Sequence, residues 1–555
     1  MTTPHHKPYS HQTSCWPEPR EPRPKQTRLR FSSWYLVLVV LPLFSLSCKT
    51  FDPPLRDVAE LRIPEAYTLY EETAPGPDRW WEGFQAPELD SLIESTLRDN
   101  LSLQQVYARM EQAAALARQA NAAKYPSLSY SGDASISQTR VDTGGSAGGV
   151  EESTQQLEAL NGVLGAASGL SSATSLLGAS QDAQSGLQAL ETLLGDVSDG
   201  PSTDNVESYS LGLVSQYEVD LWGKVRADVK SAEYDYGASL DDAHTAMQSL
   251  ASQVALAWFD LLQYRQTLSL VQEQLATNEQ VLELIELRSL KGISSSLDVL
   301  QQRQAVEEAR AAVPPLESSI QSLHHEIALL TGQPPRSELA LTQSDYPERP
   351  RLPDPGLPAD LLARRPDVRA AGLLLQAADW QVSAARAARL PSLELAASAS
   401  ASAGNLDLIF GNWIATLAAS VTGPIFDGGQ RAAEVTRTRA VVKERLAAYR
   451  ESVYTAVKEV EDALLQESKQ AEYLTALRAR EDVAQAYYDE AVSRYLKGLN
   501  DYLPVLTALT SLQSIQRSVI GAEHDLFVYR VALYRALGGS WTQDFLPEME
   551  ERHEV

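Results

Sequence analysis

The side chains that could carry chemistry in this sequence are too scattered to form an enzyme site. Of the eight histidines, His244 stands alone in a helical stretch, and His324 and His325 are adjacent. Adjacent helical residues point to different faces, so this pair does not converge on a metal ion. A nucleophile elbow and a Walker-type glycine loop are absent, and Gly428-Gly429 is interpreted as a strand-to-helix turn. The sequence therefore predicts a protein that is not an enzyme and that binds no cofactor and no metal.

Cys48 is the residue for which the sequence predicts a covalent modification. An uncharged run at 31–47 follows several basic residues and ends in the letters SLSC. The run is short for a membrane span and fits the hydrophobic region of a signal peptide. Its end resembles a bacterial lipobox, with Ser45 where leucine is usual. We predict a signal peptide over 1–47 and a lipoprotein carrying palmitate at Cys48; the alternative is a hydrophobic segment whose cysteine is incidental.

The composition excludes several functional classes. Apolar residues make up 44% of the 555 residues and charged residues 22%, which is typical of folded proteins. The net charge is −26, and removal of 1–47, with six basic and two acidic side chains, takes it to −30. Nucleic-acid binding needs a basic face, so no nucleic-acid partner is expected. The two cysteines, Cys15 and Cys48, cannot build a disulfide scaffold.

Four segments alternate between apolar and polar residues with the period of a β-strand. In YPSLSYSGDASIS (125–137) the even positions from Leu128 are apolar or small, whereas the odd positions are mostly serine. Strands are predicted at about 127–141, 206–221, 391–403 and 412–426. Such alternation over about ten residues is typical of transmembrane β-strands. The alternative is a half-buried strand of a soluble sheet, but the chain holds no further strands to pack against.

Two pairs of segments show an internal repeat. AAKYPSLSYSGDASIS (122–137) aligns with AARLPSLELAASASAS (387–402) at an offset of 265. RSLKGISSSLDVL (288–300) aligns with RYLKGLNDYLPVL (494–506) at an offset of 206. The difference of 59 indicates an insert in the first half, at 142–205. In a membrane barrel this insert would be an extracellular loop; partial helix, disorder and lineage-specific padding remain open for it.

The remaining sequence is predicted to be helical. Stretches from Lys224 to about Leu290 and from Arg431 to Lys497 contain no proline and only Gly237 as glycine, and each would be about 100 Å long. Apolar residues recurring over such lengths favour coiled-coil-like packing. Shorter helices are expected at 88–124, 295–331 (interrupted by Pro314-Pro315), 358–389 and 501–537.

Each long helix is predicted to turn back at a glycine. Gly292 and Gly498 each follow the letters LK, and they fit left-handed helix ends. Ser294-Ser295-Ser296 and Asn500-Asp501 then offer N-caps for the returning helices. Each half of the chain is therefore predicted to be a long helical hairpin.

Four strands are too few to close a barrel in lipid. An open sheet leaves two edges of unpaired backbone groups, each costing several kcal/mol in hydrocarbon. The smallest closed barrels have eight strands. The chain is therefore expected to pool its strands with further copies of itself, while the polar helices stand in water.

At this point the sequence resembles a known family, the TolC-like outer-membrane efflux proteins, in their lipoprotein branch. The resemblance covers roughly 79–541. The matching segments, in family order, are RWWEGFQAPELDSLI (79–93), EVDLWGKVR (218–226), LLARRPDVRAAG (361–372), GPIFDGGQR (423–431), VEDAL (460–464) and LYRALGGSW (533–541).

The resemblance implies a mixed α+β membrane protein that forms a homotrimer. Three chains would share a twelve-stranded outer-membrane β-barrel in outer-membrane lipid, continued by a periplasmic α-helical barrel. The protein would be lipid-anchored in the bacterial outer membrane, as the exit duct for multidrug export. Its partners would be a periplasmic adaptor (membrane fusion) protein and an inner-membrane transporter of the resistance-nodulation-division type. An alternative of another class is a non-transporting outer-membrane scaffold or surface protein.

The same resemblance suggests two groups of functional residues. The barrel residues expected to face the lumen are Glu218, Asp220 and Glu394. The hairpin-tip residues expected to gate the periplasmic end or dock the adaptor are Arg288, Leu290, Gly292, Leu297, Asp298, Arg494, Tyr495, Gly498, Asp501, Leu503 and Leu506. Relatives often carry an acidic ring in the second tip, but residues 503–507 hold no carboxylate. An apolar constriction near Leu503 and Leu506 is predicted instead.

The predicted organisation follows from these elements. It comprises a signal peptide (1–47), a periplasmic extension (48–86), a first repeat (87–340) with its tip near 292 and the insert 142–205, a second repeat (341–541) with its tip near 498, and an acidic tail (542–555).

Overall fold

The computed structural model describes residues 51–53, 63–64, 66–67, 79–141, 202–337 and 339–545. Several predictions lie outside the described residues: the signal peptide with Cys48, most of the extension 48–86, the insert up to residue 201, and positions 546–555 of the acidic tail.

The strands form one antiparallel sheet in chain order. They are β1 (Ser127–Val141), β2 (Ser202–Val219), β3 (Ser392–Ala403) and β4 (Trp413–Thr422). Each strand begins after a loop or a proline. Its first and last residues lie within four positions of the bounds expected from the alternation. Within the described ranges, β1 and β4 have no strand partner on their outer edges.

The strand register collects the apolar residues of all four strands on one face. Tyr130 lies opposite Leu213, which in turn lies opposite Ala399. Directly opposed residues of an antiparallel pair project from the same side of the sheet. The neighbouring row joins Ser129, Val214 and Ser398 with Thr416, and it forms part of the polar face. The alternation in the sequence therefore continues across the whole sheet.

Two 67-residue helices dominate the rest of the chain. The first half contains α1 (Pro87–Asp99), α2 (Leu101–Ala122), α3 (Lys224–Leu290) and α4 (Ser296–Leu330). The second half contains α5 (Leu361–Arg364), α6 (Pro366–Ala387), α7 (Gln430–Leu496) and α8 (Leu503–Leu537). The long helices α3 and α7 end within one residue of the expected positions, because few helix-breaking residues interrupt them and a glycine follows each. Among the described residues, no helix is long and apolar enough to cross a membrane.

Helix α4 continues through Pro314 and Pro315, where an interruption was expected. A proline inside a helix lacks its own N–H and leaves the carbonyl four residues earlier without a partner. Here those carbonyls belong to Arg310 and Ala311, and both residues and both prolines are exposed. Water can therefore satisfy the freed groups, so the helix continues.

The run expected at 88–124 is divided by Asn100. The Asn100 side chain accepts a hydrogen bond from the Leu103 N–H at 3.0 Å, which caps α2. Its amide also donates to the Leu330 carbonyl at 2.7 Å, which ties this corner to the end of α4.

The largest hydrophobic core joins the beginning and the end of the described fold. A short 3-10 helix, Trp80–Phe84, places its aromatic rings against the last helices. Trp81 meets Trp541 edge to face at 4.7 Å, and Trp80 stacks on Tyr534 at 5.4 Å. Since Trp81 and Trp541 are almost fully buried, the core holds segments more than 400 positions apart in the sequence. Edge-to-face aromatic pairs stabilise such cores by about 0.5–1.5 kcal/mol each.

Candidate functional site

The apolar face of the sheet is accessible, although its residues are of the kind normally buried. Tyr130 is 88% exposed and Leu417 is 84% exposed. Along β3 the odd positions from Leu395 to Ala399 are exposed, whereas Ala396 and Ser398 between them are half-buried. In this part of β3 the polar face is therefore the more enclosed side, whereas residues 127–138 of β1 are exposed on both faces. An exposed apolar face of this extent marks a surface for lipid or for protein.

Two of the three residues predicted to face the lumen lie together on the polar face. Glu218 on β2 is directly opposite Glu394 on β3, and Ser420 follows on β4. The Lys224 ammonium lies 3.3 Å from the Glu218 carboxylate, which partly balances this charge. The polar face thus concentrates carboxylates at the end nearest the helices.

Asp220, the third predicted residue, lies outside the strands. Strand β2 ends at Val219, and the Asp220 carboxylate accepts the N–H groups of Val225 (3.1 Å) and Arg226 (2.8 Å). A carboxylate at a helix start satisfies free N–H groups and the helix dipole. The alternation predicted a strand position for Asp220, but the strand ends one residue before it.

The first hairpin tip has the predicted turn. Gly292 adopts φ +72°, with nothing within 4 Å of the place where a Cβ would stand. Ser295 then caps α4 in a capping box, where its hydroxyl accepts the Asp298 N–H and the Asp298 carboxylate accepts the Ser295 N–H. Asp298 is therefore occupied in shaping the turn.

The second tip keeps the glycine but not the predicted cap. Gly498 adopts φ +70° in open space. Neither Asn500 nor Asp501 caps the returning helix, because α8 begins after Tyr502, which makes no side-chain cap. Asn500 instead accepts a hydrogen bond from Arg494 Nε at 3.1 Å, and Asp501 is exposed.

Tyr495 connects the two tips. Its hydroxyl lies 2.7 Å from the Ser294 hydroxyl, and the Arg288 guanidinium stacks over its ring at 4.5 Å. Stacking of a cation on an aromatic face contributes about 0.5–2 kcal/mol. Tyr502 packs edge to face against Tyr495 at 5.7 Å. Arg288 and Tyr495, both predicted as gating or docking residues, therefore hold the tips to each other.

The predicted tip leucines differ in environment. Leu290 is 86% exposed, and Leu297 and Leu503 are also mostly exposed. Leu506 instead packs against the buried cluster around Tyr502. Further exposed apolar side chains at the tips were not predicted: Leu287, Ile293, Leu300, Leu496 and Leu499. Helical spacing from Leu290 and Leu297 would have found Leu287 and Leu300, whereas Ile293 and Leu499 lie in the turns.

A buried row of amides between the hairpins also escaped the sequence analysis. Gln302 Nε2 donates to the Asn278 carbonyl at 2.7 Å, and Gln302 Oε1 accepts the Tyr502 hydroxyl. Gln274 Nε2 donates to the Gln513 carbonyl at 3.2 Å. Burial raises the pKa of Tyr502 far above its usual value, so its hydroxyl remains a donor. The spacing of Gln274 and Asn278, one helical turn apart, is the only sequence signal for this row.

The described residues contain no group of three or more His, Cys, Asp or Glu side chains placed to hold a metal ion. His324 lies 3.2 Å from Arg265 Nη2, and burial together with that cation lowers the pKa of the imidazole. The ring is therefore neutral near pH 7 and part of a structural contact.

Comparison with known proteins gives this arrangement a context. A sequence model of the outer membrane efflux protein family matches residues 92–333 and 357–539. The chain is 32% identical over 469 residues to the pyoverdine export outer membrane protein OpmQ of Pseudomonas aeruginosa, with 84% of this chain and 88% of that protein covered. It is 33% identical over 344 residues to the solvent efflux pump outer membrane protein SrpC of Pseudomonas putida, covering 60% of this chain and 72% of that one.

The fold is also similar to solved structures. The outer-membrane channel OprN superposes with a TM-score of 0.72 at 25% identity, covering 89% of this chain and all of that one.

Proposed function

The chain belongs to the outer membrane efflux protein family, and on that premise we propose that it is the trimeric exit duct of a tripartite efflux system. Three copies would pool their strands in a twelve-stranded barrel across the outer membrane. The hairpins would continue it as a helical barrel in the periplasm. Small molecules would pass through the duct from the pump to the cell exterior.

The observation that carries this proposal is the four-stranded sheet, with its accessible apolar face and two unpaired edges. Strands β1 and β4 each present backbone N–H and C=O groups that a lipid environment cannot satisfy. Pairing β4 of one copy with β1 of the next removes both edges at once. The apolar face would then meet lipid, and the polar face would meet the water of the duct.

The exposed apolar tips support docking to a second protein. Leu290, Leu297 and Leu503 lie at the end of the hairpins farthest from the sheet and are not covered within the described part of the chain. A periplasmic adaptor with apolar contacts of its own would cover them. The inner-membrane partner would be a transporter of the resistance-nodulation-division type.

The cargo would be small organic molecules with little selection at this step. The polar face of the sheet consists mainly of serines and other small side chains, with no aromatic residue to bind a particular ligand. The relatives are named for cargoes as different as pyoverdine and solvents. Such a wall passes what the pump delivers, and no enzymatic activity is expected of it.

Membrane attachment would have two components. The barrel would be embedded in the outer membrane, and lipid on Cys48 would anchor the chain at the periplasmic surface. Two apolar attachments hold a protein more firmly than one acyl chain, which by itself binds only marginally.

A deletion and a reconstitution test the proposal together. Deletion of the gene for this protein should raise the intracellular accumulation of dyes and drugs. Expression of the protein from a plasmid should restore low accumulation. The protein purified from outer-membrane fractions should run as a heat-labile trimer and conduct ions in planar bilayers. A monodisperse monomer that stays in solution without detergent would contradict the proposal; a trimer that neither conducts nor changes accumulation would favour a scaffold.

A further inference from the structure

Two equivalent cations lie at the base of the sheet, one in each half of the chain. Lys124 and Arg389 are counterparts at the offset of 265, and each stands two residues before the proline that precedes a strand. Both lie in the turn that follows a helix, α2 in the first half and α6 in the second, and both are exposed. The internal repeat therefore places a positive charge before β1 and again before β3.

The backbone of the two turns is the same. In the first turn the Lys124 N–H donates to the Asn121 carbonyl at 3.0 Å. In the second turn the Arg389 N–H donates to the Arg386 carbonyl at 3.2 Å. Each cation is therefore presented from a short hydrogen-bonded turn at the end of a helix.

The side chain of Arg389 is directed away from the polar face of the sheet. A cavity of about 490 Å³ lies where the sheet meets the helices, and polar-face residues such as Glu218 and Ser392 line it. Ala388 and Leu390 also line this cavity, whereas Arg389, between them, does not. Arg389 therefore lies on the side of the sheet that carries the apolar face.

No carboxylate of the chain neutralises these two cations. Within the described residues, neither the Lys124 ammonium nor the Arg389 guanidinium has a carboxylate oxygen within 4.0 Å. Lys224, at the same end of the sheet, does pair with Glu218 at 3.3 Å. The chain has a net charge of −26, so carboxylates are plentiful, yet none approaches Lys124 or Arg389. An anion from outside the described chain is therefore needed to neutralise them.

The two turns lie where the apolar face of the sheet ends. On β3 this face runs from Leu393 to Ala403, ten positions apart. At about 3.4 Å per residue and a strand tilt of about 40°, it spans about 26 Å across a membrane. Transmembrane barrels carry an apolar band about 25 Å tall. The row of Val219, Leu393 and Val421 then marks the periplasmic limit of the hydrocarbon, and Arg389 lies just outside it.

Exposed aromatic rings mark the same level. Tyr125, beside Lys124, is 67% exposed, and Phe426, which follows β4, is 91% exposed. Because the sheet is antiparallel and in chain order, the start of β1 and the end of β4 lie at one edge. Aromatic side chains are enriched at the headgroup level of membranes. Cations beside such rings lie at the height of lipid phosphate groups.

We propose that Lys124 and Arg389 bind the phosphate groups of anionic phospholipids in the periplasmic leaflet of the outer membrane. The acyl chains would lie along the apolar face, with the headgroup at the turn before β1 or β3. A lysine or arginine near a membrane surface contributes about fivefold to the affinity for anionic lipid. The inference rests on the proposed function and adds to it a preference for one class of lipid.

Spin-labelled lipids in vesicles that contain the full chain test this preference. Electron spin resonance measures the fraction of label immobilised at the protein, and so the relative affinity for phosphatidylglycerol over phosphatidylcholine. The double variant Lys124→Gln, Arg389→Gln should lower this affinity ratio at least about twofold at low salt. The matched control is Lys291→Gln, Lys497→Gln, which removes the same charge from two equivalent, exposed lysines at the hairpin tips. The control should keep the wild-type ratio.

A charge-conserving variant and salt separate charge from shape. Lys124→Arg, Arg389→Lys should keep the affinity ratio of the wild type, because both positions remain positive. High salt should bring the ratio of the wild type close to that of the neutral double variant, because screening weakens exposed charges. A ratio that falls equally in the charge-conserving and the neutral variants would contradict binding through charge.

The outcomes separate this inference from the proposed function. An equal fall of the affinity ratio in the tip control would assign the preference to net charge and overturn the inference. An unchanged ratio in the neutral variant would also overturn it, and a lower thermal midpoint there would assign the two cations to the helix ends. A wild type that conducts in planar bilayers without preferring phosphatidylglycerol would overturn the inference and leave the duct intact. If the wild type does not insert into vesicles, both are wrong.

Discussion

Ser294 and Tyr495 join the two hairpin tips through hydroxyl groups 2.7 Å apart. Ser294 lies just after the first turn, and Tyr495 lies at the end of α7, so the contact connects residues 201 positions apart. With Arg288 stacked on the same ring, this tyrosine makes two contacts with the first hairpin. We therefore expect a change in one tip to affect the other.

Replacing Tyr495 should loosen both tips locally. Tyr495→Phe removes one hydrogen bond and should cost about 1 kcal/mol of local stability, whereas Tyr495→Ala also removes a buried ring and should cost about 3–5 kcal/mol. Amide hydrogen exchange over 284–300 reports this loss, although that segment belongs to the other hairpin. Tyr487→Ala, on the same helix but half exposed, should leave the exchange unchanged. Equal exchange in Tyr495→Ala and wild type would show that the tips are independent.

Leu503 and Leu506 should differ in their effect on conduction. Leu503 is exposed, so Leu503→Ser should hydrate the predicted apolar constriction and raise single-channel conductance in planar bilayers, with stability retained. Leu506 packs in the tip core, so Leu506→Ser should lower stability as well. Unchanged conductance in both variants would rule out a constriction at this place.

Glu394 should contribute to ion selectivity more than Glu218 does. Both lie on the polar face, but the Glu218 carboxylate has Lys224 beside it at 3.3 Å. Glu394→Gln should therefore reduce the preference for cations more than Glu218→Gln does, as read from the reversal potential in a KCl gradient. Glu394→Asp keeps the charge and serves as the control. The difference in reversal potential between the two variants should shrink at high salt, because screening weakens the effect of exposed charges. An unchanged reversal potential in every variant would show that these carboxylates lie outside the ion path.

Arg365 should be far less replaceable than its neighbour Arg364. The Arg365 guanidinium is buried and donates to Asp367 (2.6 Å), Glu459 (2.6 Å) and the Ala536 carbonyl (3.0 Å). Burial alone would lower the pKa of Arg365, but its hydrogen bonds to Asp367 and the nearby carboxylates raise it, so the charge is retained. Arg365→Lys cannot keep this forked geometry and should cost about 1–3 kcal/mol. Arg364→Lys, at an exposed site, should leave the thermal unfolding midpoint of the detergent-solubilised protein within error; similar midpoints for both variants would contradict this account.

The sequence predicted the regular elements well because their signals are local. The lengths of α3 and α7 follow from the absence of proline within them. Their ends follow from Gly292 and Gly498, which come just after each helix. The positions of the strands follow from the alternation of apolar and polar residues. The register of the sheet then places the apolar residues of neighbouring strands in shared rows. These features need no knowledge of distant residues.

What the sequence did not reveal depends on distant partners. Asn100 divides a helical run because the Leu330 carbonyl lies beside it. Asp220 follows the strand alternation but accepts N–H groups at the start of α3, and the buried Gln302 finds its hydroxyl partner, Tyr502, on the other hairpin.

The pairing of Trp81 with Trp541 also constrains how the polypeptide matures. The first aromatic segment cannot complete its environment until the last helix has been synthesised and delivered, because its partners are at the opposite end of the chain. Contacts so distant in sequence form late and slowly. The main core therefore cannot form until nearly the whole chain has been synthesised, and until then its apolar residues are open to aggregation. A chain that ends before Trp541 would lack the edge-to-face partner of Trp81, so its first aromatic segment would be left incompletely packed.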